Sequence, residues 1–296
     1  MRDDLPVWRS LLFVPVPVEK FVATAADRGA DAIILDLEDS VAPSQKAHAR
    51  TLIAGAIPVV ARNGADVVVR VNRPWRLLVR DLEAAVVPGV AALMLTKVDS
   101  AEHVRACADI VTELETERGL PAGALKFIVL VETAAGFLRI EQIAKSHPRV
   151  VGLSLGSEDF AADTGMQPEP EALFYPKQQT VFAARAAGIL PMGFIGSIAD
   201  FRDQAAFRAM VRRSRRFGFV CASAVHPLQV AVLNEAFAPG AGEVERAERM
   251  IAAYDQALAA GLGAVQFEGA MIDVPVVERA RSVVRRAAAL RRRADG

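Results

Sequence analysis

The feature that most constrains this chain is a repeated alternation of short apolar runs with longer amphipathic stretches. The runs at residues 11–14, 32–35, 67–71, 92–95, 127–131, 150–155, 189–192 and 219–222 carry almost no polar side chain. A strand exposed on one face alternates polar and apolar residues. A run that is apolar throughout is buried on both faces, as in a parallel sheet covered by helices. Helical patterns fill the gaps, at residues 19–28, 45–61, 81–85, 101–118, 140–146, 177–187 and 205–217. Eight strands in alternation with helices predict an α/β protein, a (β/α)8 TIM barrel. An open doubly wound sheet is the alternative, but no glycine-rich phosphate-binding turn comes after the first run.

The barrel accounts for residues 1–238. Residues 239–296 are too many for a closing helix and predict a C-terminal helical extension, serving as a lid or an oligomer contact. Its last helix is rich in arginine (Arg279, Arg281, Arg285, Arg286, Arg291, Arg292 and Arg293) with no aromatic residue interleaved. That reads as a solvated face rather than a nucleic-acid arm. Lys+Arg and Asp+Glu each total 35, a balance that gives no electrostatic case for nucleic acid or an anionic membrane as partner. No apolar run reaches the roughly 20 residues of a membrane helix, and no signal-peptide pattern is present. Cys107 and Cys221 are too far apart for a zinc or redox motif. The expectation is a reduced, cytoplasmic protein.

In a barrel of this kind the working side chains stand at the carboxyl ends of the strands, so the residues directly after each apolar run are informative. The second run ends in Asp36-Leu37-Glu38-Asp39 and the third carries Arg70 and Asn72. The fourth leads to Lys97, the fifth to Glu132-Thr133, and the sixth to Gly156-Ser157-Glu158-Asp159. Acids outnumber Arg70 and Lys97, and packed carboxylates repel unless a cation sits among them. Oxygen donors with no histidine nearby select a hard ion, Mg²⁺ or Mn²⁺ in its place, over zinc. Mg²⁺ typically takes one or two protein carboxylates and completes its shell with water and substrate. Glu132 and Asp159 are the candidate ligands. Each alone reads as an acid at a helix start, but the two stand at adjacent strand ends. Arg70 suits a substrate carboxylate held bidentately.

The segments Arg9-Ser10-Leu11-Leu12-Phe13-Val14-Pro15, Asp36-Leu37-Glu38-Asp39-Ser40-Val41, Val69-Arg70-Val71-Asn72, Glu132-Thr133-Ala134-Ala135-Gly136 and Gly156-Ser157-Glu158-Asp159-Phe160 resemble the citrate lyase beta-subunit and malyl-CoA lyase family, of the HpcH/HpaI aldolase superfamily. Val225-His226-Pro227-Leu228-Gln229 and Gly269-Ala270-Met271-Ile272-Asp273-Val274-Pro275 come next in the family's order, so the resemblance spans nearly the whole chain. It implies a TIM barrel that uses Mg²⁺ to make or break a carbon–carbon bond between a CoA thioester and a small keto acid. It implies Glu132 and Asp159 as metal ligands, and Arg70, Glu132 and Pro15 at the substrate. Glu38 and Asp39 would hold metal-bound waters. Asp273 would act catalytically on the acyl group from a neighbouring subunit, hence a homotrimer or hexamer. The chain departs from the family at three places. Val16 stands after Pro15 where the family has glycine. Cys221 and Ala222 replace Gly-Lys before the His-Pro, and Gly193 stands where many members carry aspartate. The missing glycine and lysine lie where a thioester would pass, so the metal and keto-acid end is matched more fully than the CoA end.

Other readings attach to particular residues. A strand-end lysine can form a Schiff base with a keto acid, which would make Lys97 the centre of a metal-free aldolase; a salt bridge to the neighbouring acids is the simpler reading. His226 reads as a structural residue held against the core by Val225 and Leu228 rather than as a base, and Cys221 as a small buried hydrophobe. Asp273, without the resemblance, is a helix N-cap before Pro275. For the whole protein the alternatives are an aldolase that uses no CoA and a non-catalytic barrel that senses the same ligands.

Overall fold

The structure, a computed structural model, describes residues 2, 4–196 and 203–295. The chain divides into two compact units, Met1–Phe237 and Ala238–Gly296. The first is a parallel barrel of β1 (Ser10–Pro15), β2 (Ala32–Asp36), β3 (Asp66–Val71), β4 (Val90–Leu95), β5 (Lys126–Val131), β6 (Val150–Leu155), β7 (Leu190–Met192) and β8 (Ala222–Ala224). These strands pair in the order β7-β6-β5-β4-β3-β2-β1-β8. An isolated parallel bridge from Met192 to Cys221 joins the two ends of the sheet, and the Gly193 N–H donates to the Cys221 carbonyl at 2.8 Å beside it.

The helices of this unit are α1 (Glu19–Ala25), α2 (Lys46–Val60), α3 (Trp75–Ala85), α4 (Ala101–Glu117), α5 (Ala134–Phe137), α6 (Ile140–Ala144), α7 (Ser157–Thr164), α8 (Pro170–Ala186), α9 (Gln204–Arg216) and α10 (Pro227–Ala236).

The strands are apolar at every position because successive side chains enter two different cores. Leu12, Ile33, Val69, Leu93 and Val129 pack outward, beneath the helices. Leu11, Ile34, Val68, Met94, Ile128 and Met192 fill the barrel interior. The same two-residue period sets up the polar end. Carrying the inward row one step past the interior layers brings Phe13, Asp36, Arg70, Glu132 and Ser154 to a cavity at the carboxyl ends of their strands.

Some elements differ from the sequence reading. The eighth strand is Ala222–Ala224, not residues 219–222. Gly218 turns the chain at a φ of 107°, Phe219 drops into the outer core, and of residues 219–221 only Cys221 bridges to β7. The third helix begins at Trp75, directly after Pro74, ahead of the five residues whose pattern is visible in sequence. α5 and α7 were not expected. Thr133 caps α5, its hydroxyl accepting from the Gly136 N–H at 3.1 Å.

Glu115 on α4 and Arg149 before β6 form a buried pair. Arg149 donates from Nη1 to Oε1 at 2.8 Å and from Nη2 to Oε2 at 2.6 Å. The same carboxylate accepts the Gly123 and Leu125 N–H groups at 2.9 and 3.0 Å, which pins the chain entering β5.

The second unit holds α11 (Ala241–Ala259), an antiparallel hairpin of β9 (Val265–Phe267) and β10 (Ala270–Ile272), and α12 (Val274–Asp295). Its own core is Ala247, Met250, Tyr254, Ile272, Val277 and Ala280. Among the described residues no helix is long and apolar enough to cross a membrane.

Glu115→Ala leaves Arg149 buried without its counter-ion, so the unfolding free energy in urea is expected to fall by about 3–5 kcal/mol. A loss under about 1 kcal/mol, the range of an exposed pair, would contradict this role.

Candidate active site

A cavity of about 790 Å³ opens at the carboxyl ends of the strands. Its polar floor is organised by two cations among several acids. Asp36 is fully buried and clamped by Arg70, which donates from Nε to Oδ1 at 2.7 Å and from Nη2 to Oδ2 at 2.6 Å. The Ser40 hydroxyl adds a short hydrogen bond to Oδ2. Burial pushes the Asp36 carboxyl up, but the Arg70 guanidinium outweighs it and holds the group below its ordinary value. The third nitrogen of Arg70, Nη1, lies 3.0 Å from Glu38 Oε2, and the guanidinium covers the Phe13 ring at 4.5 Å. Arg70 thus lines the cavity, but the bidentate edge expected to face a substrate carboxylate is engaged by Asp36.

Lys97 comes after β4 in a left-handed conformation, φ 49°, which is uncommon for a residue with a Cβ. The turn aims its backbone N–H at Glu132 Oε2, 2.6 Å away. It aims the ammonium at Glu38 Oε1 (2.6 Å), Asp159 Oδ1 (3.4 Å) and Asp39 Oδ2 (3.5 Å). Burial works against the charge, but the hydrogen bond to Glu38 and the field of the other acids raise the Lys97 pKa well above the ordinary lysine range. The salt-bridge reading of Lys97 is the one the geometry holds, and a lysine kept protonated is a poor Schiff-base nucleophile.

Glu132 is the least compensated of these acids. It is 3% exposed, and burial pushes its carboxyl up to about 7 against the opposing Lys97 N–H. Its Oε1 rests on Gly156, where a Cβ would stand 2.6 Å away, so the glycine leaves room for the carboxylate. Asp159 sits in the first turn of α7, half-exposed and facing the same cavity. The donor set fits a hard divalent cation: two oxygen ligands, one of them a buried carboxylate short of positive charge. Among the described residues no group of three or more His, Cys, Asp or Glu is arranged to hold a metal. Two protein ligands with water and substrate are what Mg²⁺ commonly accepts.

Pro15, Asp39 and Gly193 line the cavity, while Glu38 is buried beside it and bridges Arg70 and Lys97. Asp273 lies in the second unit, where its Oδ1 accepts the Val276 N–H at 3.5 Å and its carbonyl accepts the Val277 N–H at 3.0 Å at the start of α12. Val16, Cys221 and Ala222 are buried in the barrel wall and, among the described residues, outside the cavity lining. His226 caps α10, its Nδ1 accepting the Leu228 N–H at 3.2 Å. Its neighbours are not core, as the sequence suggested: Val225 and Leu228 are 45% and 56% exposed and line the cavity with Phe21. The buried face of α10 is carried instead by Gln229, Val230 and Leu233.

Lys177 was missed. It is on α8, lines the cavity, and donates from Nζ to the Leu155 carbonyl at 2.6 Å. Burial pushes its pKa down to about 7. The available signal was its spacing, since Leu173, Lys177, Val181 and Ala184 share one helix face and all are buried.

The profile of the HpcH/HpaI aldolase/citrate lyase family matches residues 9–227. An L-malyl-CoA/beta-methylmalyl-CoA lyase of Cereibacter sphaeroides is 38% identical over 301 residues, spanning 92% of this chain and 91% of that protein. A citrate lyase subunit beta of Leuconostoc mesenteroides subsp. cremoris is 32% identical over 280 residues, spanning 94% and 92%. Among solved structures, CitE from Mycobacterium tuberculosis in complex with magnesium, acetoacetate and coenzyme A matches with a TM-score of 0.75 and 31% identity, over 94% of this chain and 97% of that one.

Lys177 makes a pH dependence with a definite sign. Its pKa is about 7 in the folded chain against 10.5 ordinarily. Between these values the unfolded chain binds a proton that the folded chain lacks, so stability rises with pH, by up to about 1.4 kcal/mol per unit. Below the folded value the contribution is flat. Lys177→Met is expected to remove this slope, as measured by denaturant unfolding of both proteins across the window. A difference between the two that does not vary with pH would contradict it.

Proposed function

Because the chain belongs to the HpcH/HpaI aldolase/citrate lyase family, we propose that it is a Mg²⁺-dependent carbon–carbon lyase that cleaves or forms a 3-hydroxyacyl-CoA thioester from an acyl-CoA and a small keto acid. The observation that carries this reading is one continuous cavity with two kinds of lining. Glu132 and Asp159 line it together with the apolar, exposed Phe21, Val225 and Leu228 and the cations Lys20 and Arg28. A thin thioester arm needs an apolar slot, and its phosphates need cations where the slot meets solvent.

A Mg²⁺ held by Glu132 and Asp159 would supply Lewis-acid stabilisation of the negative charge that develops on the keto acid's oxygen. The chain's own residues do the rest. Lys97 orients Glu132 through its N–H and neutralises Glu38. Arg70 braces Asp36 and Glu38, so that Glu38 and Asp39 keep their places for holding water beside the ligands. Phe13 and Leu130 line the reacting end with apolar surface, which strengthens every charge interaction there. Asp273 is the proposed base that takes the proton from the thioester's α-carbon, supplied by another copy of the chain in a trimer or hexamer. The exposed apolar side chains of Met271 and Val274 on either side of it support a contact with a partner. Two free, buried cysteines suit a reducing cytoplasm.

Incubation with Mg²⁺, acetyl-CoA and glyoxylate, pyruvate or oxaloacetate is expected to show carbon–carbon bond formation or, from the condensed thioester, cleavage. The rate is expected to be lost in EDTA and lowered roughly 10²–10³-fold in Glu132→Gln. Full activity in EDTA, or a borohydride-trapped pyruvate adduct on Lys97 or Lys177, would contradict the proposal. Turnover of a keto acid with no effect of acetyl-CoA would identify an aldolase that does not use CoA.

A further inference from the structure

We propose that Lys177 is an acylation site: a thioester bound in the cavity passes its acyl group to the Lys177 amine, leaving an amide on the protein and free CoA. This rests on the lyase reading above, which supplies the thioester.

Two lysines line the cavity, Lys20 and Lys177, in opposite surroundings. Lys20, on α1, is exposed. Lys177 is 3% exposed, on the buried face of α8. Among the described residues its one hydrogen bond runs from Nζ to the Leu155 carbonyl, at 2.6 Å, a neutral acceptor, and no carboxylate lies within ion-pair distance of it. An ammonium taken out of water without a counter-ion is costly, so this place favours the free amine. Burial accordingly pushes the Lys177 pKa down to about 7. Lys97 is the contrast at the same rim. Its ammonium lies among Glu38, Asp39 and Asp159, which hold the proton on and the lone pair out of reach. A lysine stripped of water and counter-ion is the form in which the amine is a nucleophile.

The step needs no partner beyond the thioester. The Nζ lone pair adds to the thioester carbonyl carbon. As the C–N bond is completed the C–S bond breaks, and the sulfur leaves as the CoA thiol with one of the two amine protons. The other proton stays on nitrogen, so the amide N–H can keep the hydrogen bond to Leu155. The product is neutral, and acylation therefore abolishes the cost of burying an ammonium at this point. In the lyase reading the keto acid's carbonyl is turned to the cation at Glu132 and Asp159, which leaves the thioester as the electrophile open to the amine. An amide also persists in water, so it accumulates.

The test is peptide mass spectrometry on the whole protein, incubated with acetyl-CoA and no keto acid at mildly alkaline pH. Lys177 is expected to gain an acetyl group at least roughly 10-fold faster than any other lysine, because its reaction takes place inside a bound complex. Excess free CoA, which has no acyl group to give, is expected to slow the labelling of Lys177 alone. In urea the preference is expected to vanish, and Lys177→Arg is expected to have no fast site. Equal labelling of all lysines, or faster labelling of Lys20, overturns the proposal. So does labelling of Lys177 that free CoA does not slow. Binding of free CoA is measured alongside by calorimetry. CoA binding without preferential acylation overturns the acylation site and leaves the lyase reading standing. Absence of both overturns the thioester part of that reading and the acylation site with it.

Discussion

Asp36, Glu38 and Glu132 are all buried at the carboxyl ends of β2 and β5, and the open end of the barrel tolerates them because Arg70 and Lys97, from β3 and the end of β4 between them, are wedged among them. Buried carboxylates are costly unless paired, and here the pairing is unequal. Asp36 receives the full fork of Arg70, and Glu38 receives both cations. Glu132 receives a backbone N–H and only the field of the Lys97 ammonium. With Asp39 and Asp159, the cluster sets five acids against two bases, and positive charge is shortest at Glu132, where burial pushes the carboxyl up. The arrangement is stable enough to fold and still short of positive charge, which is the condition in which a divalent cation binds best.

The rest of the barrel serves this cluster through the strand period. The inward rows that build the interior core deliver Asp36, Arg70, Glu132 and Ser154 to one face. Gly156 keeps the backbone close where a Cβ would meet the Glu132 carboxylate, and Gly193 holds a φ of 125° that side-chain-bearing residues rarely adopt. Lys177 and Glu132 meet the chain at consecutive residues, Leu155 and Gly156, at the end of β6.

Much of this was legible in the sequence because two-sided burial leaves a plain mark, an apolar run with no alternation, and because the rim acids come directly after those runs. Glu132, Asp159, Glu38 and Lys97 could be placed on that basis alone. The eighth strand was misplaced because Phe219 is apolar for a different reason, outer-core packing after the Gly218 turn. Val225 and Leu228 look like core in sequence because an apolar pair beside His-Pro reads the same whether it faces the interior or a binding cavity. Lys177 was passed over because a lysine on a helix is usually solvated, and only the helix register shows that this one lies on the buried stripe. The partnership of Arg70 with Asp36 depends on a contact between neighbouring strands, β2 and β3, and no local pattern encodes which of two carboxylates, the protein's or a substrate's, will take the fork.

The central claim is that Glu132 and Asp159 together hold one divalent cation. Mn²⁺ binding followed by electron paramagnetic resonance measures this directly, without reference to any substrate. The account predicts one ion per chain in the wild-type protein, with affinity lowered by more than roughly tenfold in Glu132→Gln and in Asp159→Asn, since each removes a charged ligand. Asp273→Asn, which leaves the barrel's carboxylates intact, is expected to bind as the wild type does. Mn²⁺ binding that is unchanged in both ligand variants would contradict the account.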